Sequence, residues 1–292
     1  MPVREDFLAS SDWLAGHLDD EHLRVLDCTV FLRARPEGGP GYLVETGEAE
    51  WLGSHIPGSI YADLHNDLSD RSSALRFMMP PAAQFETAMG SYGVGNDSKV
   101  VLYDRAGNMW AARVWWMLRA FGFDNARVLD GGWKRWTDDG HPVETGSVGR
   151  APGRFTVVPR PRLIASRDEV LELVRSGDAC IVNALNGAQF RGEVAPYGRP
   201  GRIAGSVHVP AIGDAGVVDH RTQTFGSVEE IRARFIKAGA EPDRRLIAYC
   251  GGGIAASSTA FAAVMAGFRD VAVYDASLSE WAADPTLPME TG

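Results

Sequence analysis

The chain repeats itself. Residues 100–136, "VVLYDRAGNMWAARVWWMLRAFGFDNARVLDGGWKRW", resemble residues 246–281, "LIAYCGGGIAASSTAFAAVMAGFRDVAVYDASLSEW". Tyr103 matches Tyr249 at a spacing of 146, and Trp136 matches Trp281 at 145. "HPVETG" (141–146) matches "LPMETG" (287–292), "HIPGSI" (55–60) faces "RIAGSV" (202–207), and "RVLD" (24–27) resembles "CIVN" (180–183). A near-constant spacing over such lengths marks a duplicated domain. Each copy alternates short apolar runs, "VVLYD" or "LIAYC", with helix-like segments that stop at Gly122 or Gly267. That alternation predicts an α/β fold with a mainly parallel sheet flanked by helices in each half. The expected bounds are a first domain over 1–146, a Gly-, Pro- and Arg-rich linker over 147–162, and a second domain over 163–292.

Charge is spread unevenly. The chain carries a net charge of −9, which argues against nucleic acid as a partner. Residues 1–146 hold 13 basic and 22 acidic side chains, whereas 147–292 hold 16 of each, all but one of the basic ones Arg. The second half is therefore the better host for a small anion. No stretch approaches the roughly 20 apolar residues of a membrane span, and the N-terminus lacks the uninterrupted apolar core of a signal peptide. A cytoplasmic protein with no membrane partner is expected.

Three cysteines, Cys28, Cys180 and Cys250, are an odd set without close spacing, which suits neither a disulfide framework nor a metal site. Cys28 and Cys180 sit in strand-like runs and read as core, as do Trp115, Trp116, Met117 and Phe121 at helical spacing. Asp130 and Asp275 recur in both copies and so read as serving the fold. The copies differ where the repeated strand ends: Asp104 in one, Cys250 in the other. Open α/β sheets bind ligands at that end of a strand. After Cys250 come Gly251, Gly252, Gly253, Ile254 and Ala255, a loop able to turn its N–H groups inward beneath a helix N-terminus and so favour a thiolate. Asp104 cannot act as a sulfur nucleophile, so one working site per chain is expected.

Phosphoryl transfer through cysteine wants an arginine where Ala256 stands, and the next basic residue is Arg269. A Cys–His hydrolase wants a base, and nothing in the sequence brings His208 or His220 to the thiol. Transfer of a sulfane sulfur remains: the thiolate takes sulfur from an anionic donor and holds it as a persulfide, with no metal and no organic cofactor.

With "SHIPGSIYAD" (54–63), "RVWWMLRAFGF" (113–123), "VLDGGWKRW" (128–136), "CGGGIA" (250–255) and "YDASLSEW" (274–281), the chain resembles the tandem-domain rhodanese family, the thiosulfate and 3-mercaptopyruvate sulfurtransferases. The resemblance implies a silent first domain, a second domain with Cys250 as nucleophile, and a thiol acceptor such as thioredoxin or a low-molecular-weight thiol, or cyanide. It also implies carboxylate-binding arginines in "NGAQFRGEVAPYGRPGRIAGS", where Gln189 replaces the first and Arg191, Arg199 and Arg202 are the candidates. Arg202 stands where the family has a histidine, and Gly252 where the mercaptopyruvate type has a serine. His55 matches a position facing the interdomain cleft, and Asp63 a structural one. Thiosulfate and mercaptopyruvate both remain open as donor. A low-turnover persulfide carrier or redox-sensing module on the same fold is the alternative to an enzyme.

Overall fold

The structure, a computed structural model, describes residues 3–36, 41–147 and 149–292. The first half contains strands β1 (Leu8–Ala9), β2 (Leu23–Asp27), β3 (Val30–Ala34), β4 (Tyr42–Thr46), β5 (Ile60–Tyr61), β6 (Lys99–Tyr103) and β7 (Ala126–Leu129). Five of them form a parallel sheet in the order β1-β7-β6-β2-β5. β3 and β4 stand apart as an antiparallel hairpin. The second half contains β8 (Ile164–Ala165), β9 (Cys180–Asn183), β10 (Arg202–Ile203), β11 (Val207–His208), β12 (Leu246–Tyr249), β13 (Val271–Tyr274) and β14 (Met289–Glu290). Here β8, β13, β12, β9 and β11 repeat the first order strand for strand, again all parallel. The α/β duplication read from the sequence is present in the fold. Apart from the exposed Lys99 that opens β6, the central strands β6 and β12 are runs of Val, Leu, Ile, Ala and Tyr because helices cover both their faces.

The helices that follow these strands, Met109–Ala120 and Ile254–Met265, pack against each other and join the halves. Each is apolar nearly all round, as a helix buried between two sheets must be. The first presents bulky Trp115 and Trp116, and the second a run of Ala and Ser with Phe261. Trp115 meets Phe261 edge to face at 4.7 Å between ring centroids. One apolar cluster runs through both halves and includes Cys28, Cys180, Trp115, Trp116, Met117 and Phe121.

Asp130 and Asp275 clasp the halves reciprocally. Asp130 accepts the Phe225 amide at 2.9 Å and Asp275 accepts the Met79 amide at 2.8 Å. Arg4 pairs with Asp130 and Arg113 with Asp275, each at 2.6 Å. The linker segment is strapped to the first half: the Val158 and Arg160 amides donate to Phe121 and Ala120 carbonyls. Among the described residues, no helix is long and apolar enough to cross a membrane.

Candidate active site

Cys250 is the residue immediately after β12, and only 3% of it is exposed. Its position is fixed from behind. Its amide donates to the Ser277 hydroxyl at 3.0 Å, and that hydroxyl donates to the Tyr274 carbonyl at 2.7 Å. The carbonyls of Cys250 and Gly251 accept the Leu278 and Ser279 amides, and Gly251 also accepts the Ser279 hydroxyl at 2.6 Å. The carbonyls at the start of the loop are thereby tied to the 277–279 turn. Among the described residues, no protein acceptor meets the amides of Gly251 through Ala256. These donors lie at the start of a 12-residue helix, where the dipole adds to their preference for negative charge.

The three glycines differ in what they do. Gly253 has a left-handed backbone (φ +80°), and a Cβ there would lie 2.6 Å from a carboxylate oxygen of Asp275. A Cβ at Gly251 would lie 2.0 Å from the ring of Tyr197, which rests on the loop. Gly252 has room, with no atom nearer than 3.9 Å to its hypothetical Cβ. Ser277, with φ +50°, is a left-handed non-glycine residue that its two hydrogen bonds hold in place.

The first half explains what the loop is built to hold. Asp104 stands where Cys250 stands, fully buried. One carboxylate oxygen accepts the amides of Ala106 (2.7 Å) and Asn108 (2.9 Å), the other those of Trp110 and Ala111, both at 2.9 Å. Burial outweighs the pull of the same four amides and leaves this carboxyl above the ordinary carboxylate value. With two amides on each oxygen, the loop is built around this carboxyl group. The first loop carries its own acceptor for these amides. The second has the donors but only a thiol.

Cys250 borders a cleft of about 590 Å³ walled by both halves. Phe77, Trp110 and the β3–β4 hairpin come from the first half, and Leu185, Tyr197 and Ile254 from the second. Burial and the neighbouring Cys250 push the Tyr197 phenol up. Gly252, Ile254 and Ala255 of the expected loop also reach the cleft, whereas the four other expected binding residues do not border it. Arg191 pairs with Glu193 at 2.6 Å in the open. Arg199 donates to the carbonyls of Trp281, Ala282, Asp284 and Leu287, holding the C-terminal segment. Arg202 lies 4.4 Å over the Phe190 ring and donates to the Gly292 carbonyl at 2.7 Å. His55 is completely buried in the first half, with Nδ1 2.7 Å from the Trp51 carbonyl. In place of these the cleft has Arg76, which sequence reasoning passed over because "ALRFMMP" carries no recognisable signal. Ser277 and Tyr197 were equally unmarked, since only the folded loop brings them to Cys250. No histidine lines the cleft among the described residues.

With this geometry in hand, comparison with known proteins gives the class. A family model for the rhodanese-like domain matches residues 10–139 and again residues 166–284, and the chain belongs to the rhodanese family as a two-domain member. Within that family it is a sulfurtransferase, as are its full-length relatives. The 3-mercaptopyruvate sulfurtransferase of Escherichia coli is 32% identical over 97% of this chain and 98% of its own. The thiosulfate sulfurtransferase of Gallus gallus is 34% identical over 94% of this chain and 92% of its own. The crystal structure of SseA from Escherichia coli superposes with a TM-score of 0.82 at 30% identity, covering 93% of this chain and 98% of that one.

Proposed function

We propose that this protein takes a sulfane sulfur from a small anionic donor, thiosulfate or 3-mercaptopyruvate, onto Cys250 and passes it to a thiol or to cyanide. The observation that carries the reading is the contrast between loops: amides that hold the Asp104 carboxylate in one copy are left without a protein acceptor around Cys250 in the other. The Cys250 thiolate attacks the outer sulfur of thiosulfate. The S–S bond of the donor breaks, its electron pair leaves with sulfite, and a Cys250–S–S⁻ persulfide remains. With 3-mercaptopyruvate the C–S bond breaks instead, and the thiol proton moves to carbon to give pyruvate. In the second half-reaction a thiolate or cyanide attacks the outer sulfur, and Cys250 leaves as thiolate. The loop amides stabilise the negative sulfur at each stage. The first domain supplies one wall of the cleft and no nucleophile.

Relatives acting on thiosulfate and on 3-mercaptopyruvate match this chain about equally. A thiol acceptor, whether thioredoxin or a small thiol, fits a site that opens between domains. Three cysteines, all free and buried, suit a reducing cytoplasmic compartment. Intact-mass measurement after incubation with each donor is the test. One added sulfur, about 32 Da, is expected on the wild type, removable by cyanide or a thiol and absent from Cys250→Ser. A folded Cys250→Ser protein that still forms thiocyanate would overturn the assignment of the nucleophile. The lack of the expected arginines in the cleft favours a second reading, a persulfide carrier that loads once and turns over slowly. Loading without steady-state thiocyanate production would select it.

A further inference from the structure

The two helices that join the domains run in the same direction. Their first turns, with Met109, Trp110 and Ile254, border the Cys250 cleft, and their last turns, with Arg119 and Val264, border a second cleft. Ile254 and Val264 are ten residues apart on one helix, so the two clefts are separated by about 15 Å along its axis. The second cleft also has walls from both domains: Phe7 and Arg119 from the first, Arg232, Asp243, Phe268 and Arg269 from the second. Its volume of about 600 Å³ is far more than one small ion fills and lies within the roughly 300–1,000 Å³ of small-molecule sites. Three guanidiniums line it against one carboxylate, in a chain whose net charge is −9.

These guanidiniums are incompletely partnered. Arg232, on the helix Val228–Lys237, donates one terminal nitrogen to the Ala266 carbonyl at 2.8 Å. That contact caps the end of the second joining helix, where free carbonyls favour a cation. Its other two nitrogens meet no acceptor among the described residues. Arg119 reaches one oxygen of Asp124 at 2.9 Å, but Arg160 already holds both oxygens, at 2.8 and 2.7 Å. One carboxylate thus serves two guanidiniums. The Arg119 Nε is buried and meets no acceptor among the described residues. Burial lowers the Arg119 pKa, and Arg160 adds to this against the opposing pull of Asp124. Arg269 lies mostly in solvent and touches Asp243 at 3.3 Å. An anion in the cleft would offset this surplus positive charge and give the free N–H groups acceptors.

We propose that the second cleft binds a molecule carrying two or more linked phosphates, with Arg119, Arg232 and Arg269 each taking phosphate oxygens. Guanidiniums on three separate segments of two domains suit a ligand whose charge is spread along a chain. A single phosphate suits them less, because one planar fork can satisfy it. The occupant bridges the domains at the end away from Cys250, and the site stands whatever sulfur chemistry that cysteine performs. A free oligophosphate and the tail of a nucleotide carry the same linked groups, and binding tells them apart.

Calorimetry on the full chain with inorganic tripolyphosphate and orthophosphate is the test, at physiological ionic strength, where diffuse surface attraction is screened. Tripolyphosphate is expected to bind at least about tenfold more tightly, since it can reach more than one guanidinium. Arg232→Gln and Arg269→Gln should each weaken it roughly fivefold or more. Arg269 is exposed, so its substitution leaves the fold intact, and circular dichroism checks Arg232→Gln, which also gives up a helix cap. Arg76→Gln, in the Cys250 cleft, should leave the affinity within about twofold of wild type. Pyrophosphate and ADP then separate the sources. ADP no tighter than pyrophosphate assigns a free oligophosphate, tighter ADP assigns a nucleotide, and either supports the site. Orthophosphate bound as tightly as tripolyphosphate, no measurable binding of tripolyphosphate, an affinity indifferent to both Arg232→Gln and Arg269→Gln, or one lost in Arg76→Gln would each overturn the proposal.

Discussion

Asp104 and Cys250 occupy the same place in two copies of one fold, and what surrounds them is nearly the same. Each follows a central parallel strand, each lies at the start of a 12-residue helix, and each has its carbonyl tied to the amide of a later turn, Trp133 or Leu278. Even the covering segments correspond, since Phe77 over one loop and Gln223 over the other share a left-handed backbone, φ +62° and +58°. The difference is the occupant. A carboxylate saturates the first loop from within, so that loop is a finished structural element. A thiol leaves the second loop's donors without a protein acceptor among the described residues, and these are the donors that the proposed persulfide would engage. On the proposed reading, duplication preserved one site as architecture and the other as chemistry.

The comparison breaks most visibly if the first anion is removed. Asp104→Ala leaves four amides buried without an acceptor, and is expected to destabilise the protein by roughly 3–5 kcal/mol. Denaturant unfolding measures it, and a loss below about 1 kcal/mol would mean that the carboxylate is not what the loop is built around. The reverse exchange, Cys250→Asp, should abolish transfer while maintaining or raising stability, because the second loop then gains an internal anion. A large destabilisation there would show that the two loops do not present equivalent donors.

A smaller effect separates the glycines of the second loop. Gly253→Ala places a side chain in a left-handed conformation and against Asp275, and should cost about 1–3 kcal/mol with at least a tenfold loss of rate. Gly252→Ser enters open space, so its stability should stay within about 0.5 kcal/mol of wild type. Parallel unfolding curves and initial rates check the pair. Equal penalties at 252 and 253 would contradict the loop geometry. A gain in mercaptopyruvate turnover by Gly252→Ser would show that the added hydroxyl serves this donor.

The duplication was legible because each copy had to keep its buried parallel strands and its helix stops, which constrain sequence locally. Cys250 stands out in the sequence for the opposite reason: it occupies the place where the repeat would put an aspartate like Asp104. The placement of the arginines was not legible. Arg199 lies in the expected segment, but the C-terminal turn presents four carbonyls to it, a tertiary contact that no local pattern records. Arg76 comes from the other domain, across a cleft that exists only after the two helices dock. Ser277 carries no local signal, and its role depends on a left-handed backbone that the first copy fills with Gly132.

The smallest expected effect concerns pH, and again it separates the halves. The edge strand β5 ends at Tyr61, whose phenol burial drives far above the physiological range. The matching strand β11 ends at His208, half-buried, with Nε2 2.7 Å from the Leu185 carbonyl and its ring stacked on Phe190 at 4.5 Å. Burial lowers its pKa first, and the nearby Arg191 and Arg202 lower it further, against the raising effect of the Leu185 contact. A histidine held below its unfolded value of 6.5 binds its proton less readily in the folded state. Its contribution to stability is therefore complete above about pH 6.5 and is lost as pH falls from there through the folded value. Hydrogen exchange should show β11 and the Leu185 segment of the cleft wall loosening on acidification below that point while β5 stays protected. His208→Gln, which can keep a donor to Leu185 and cannot titrate, should remove the acid-dependent part of the loss. If β5 and β11 loosened together, or the substitution left the pH profile unchanged, the acid sensitivity would belong to the carboxylates common to both halves and not to this position.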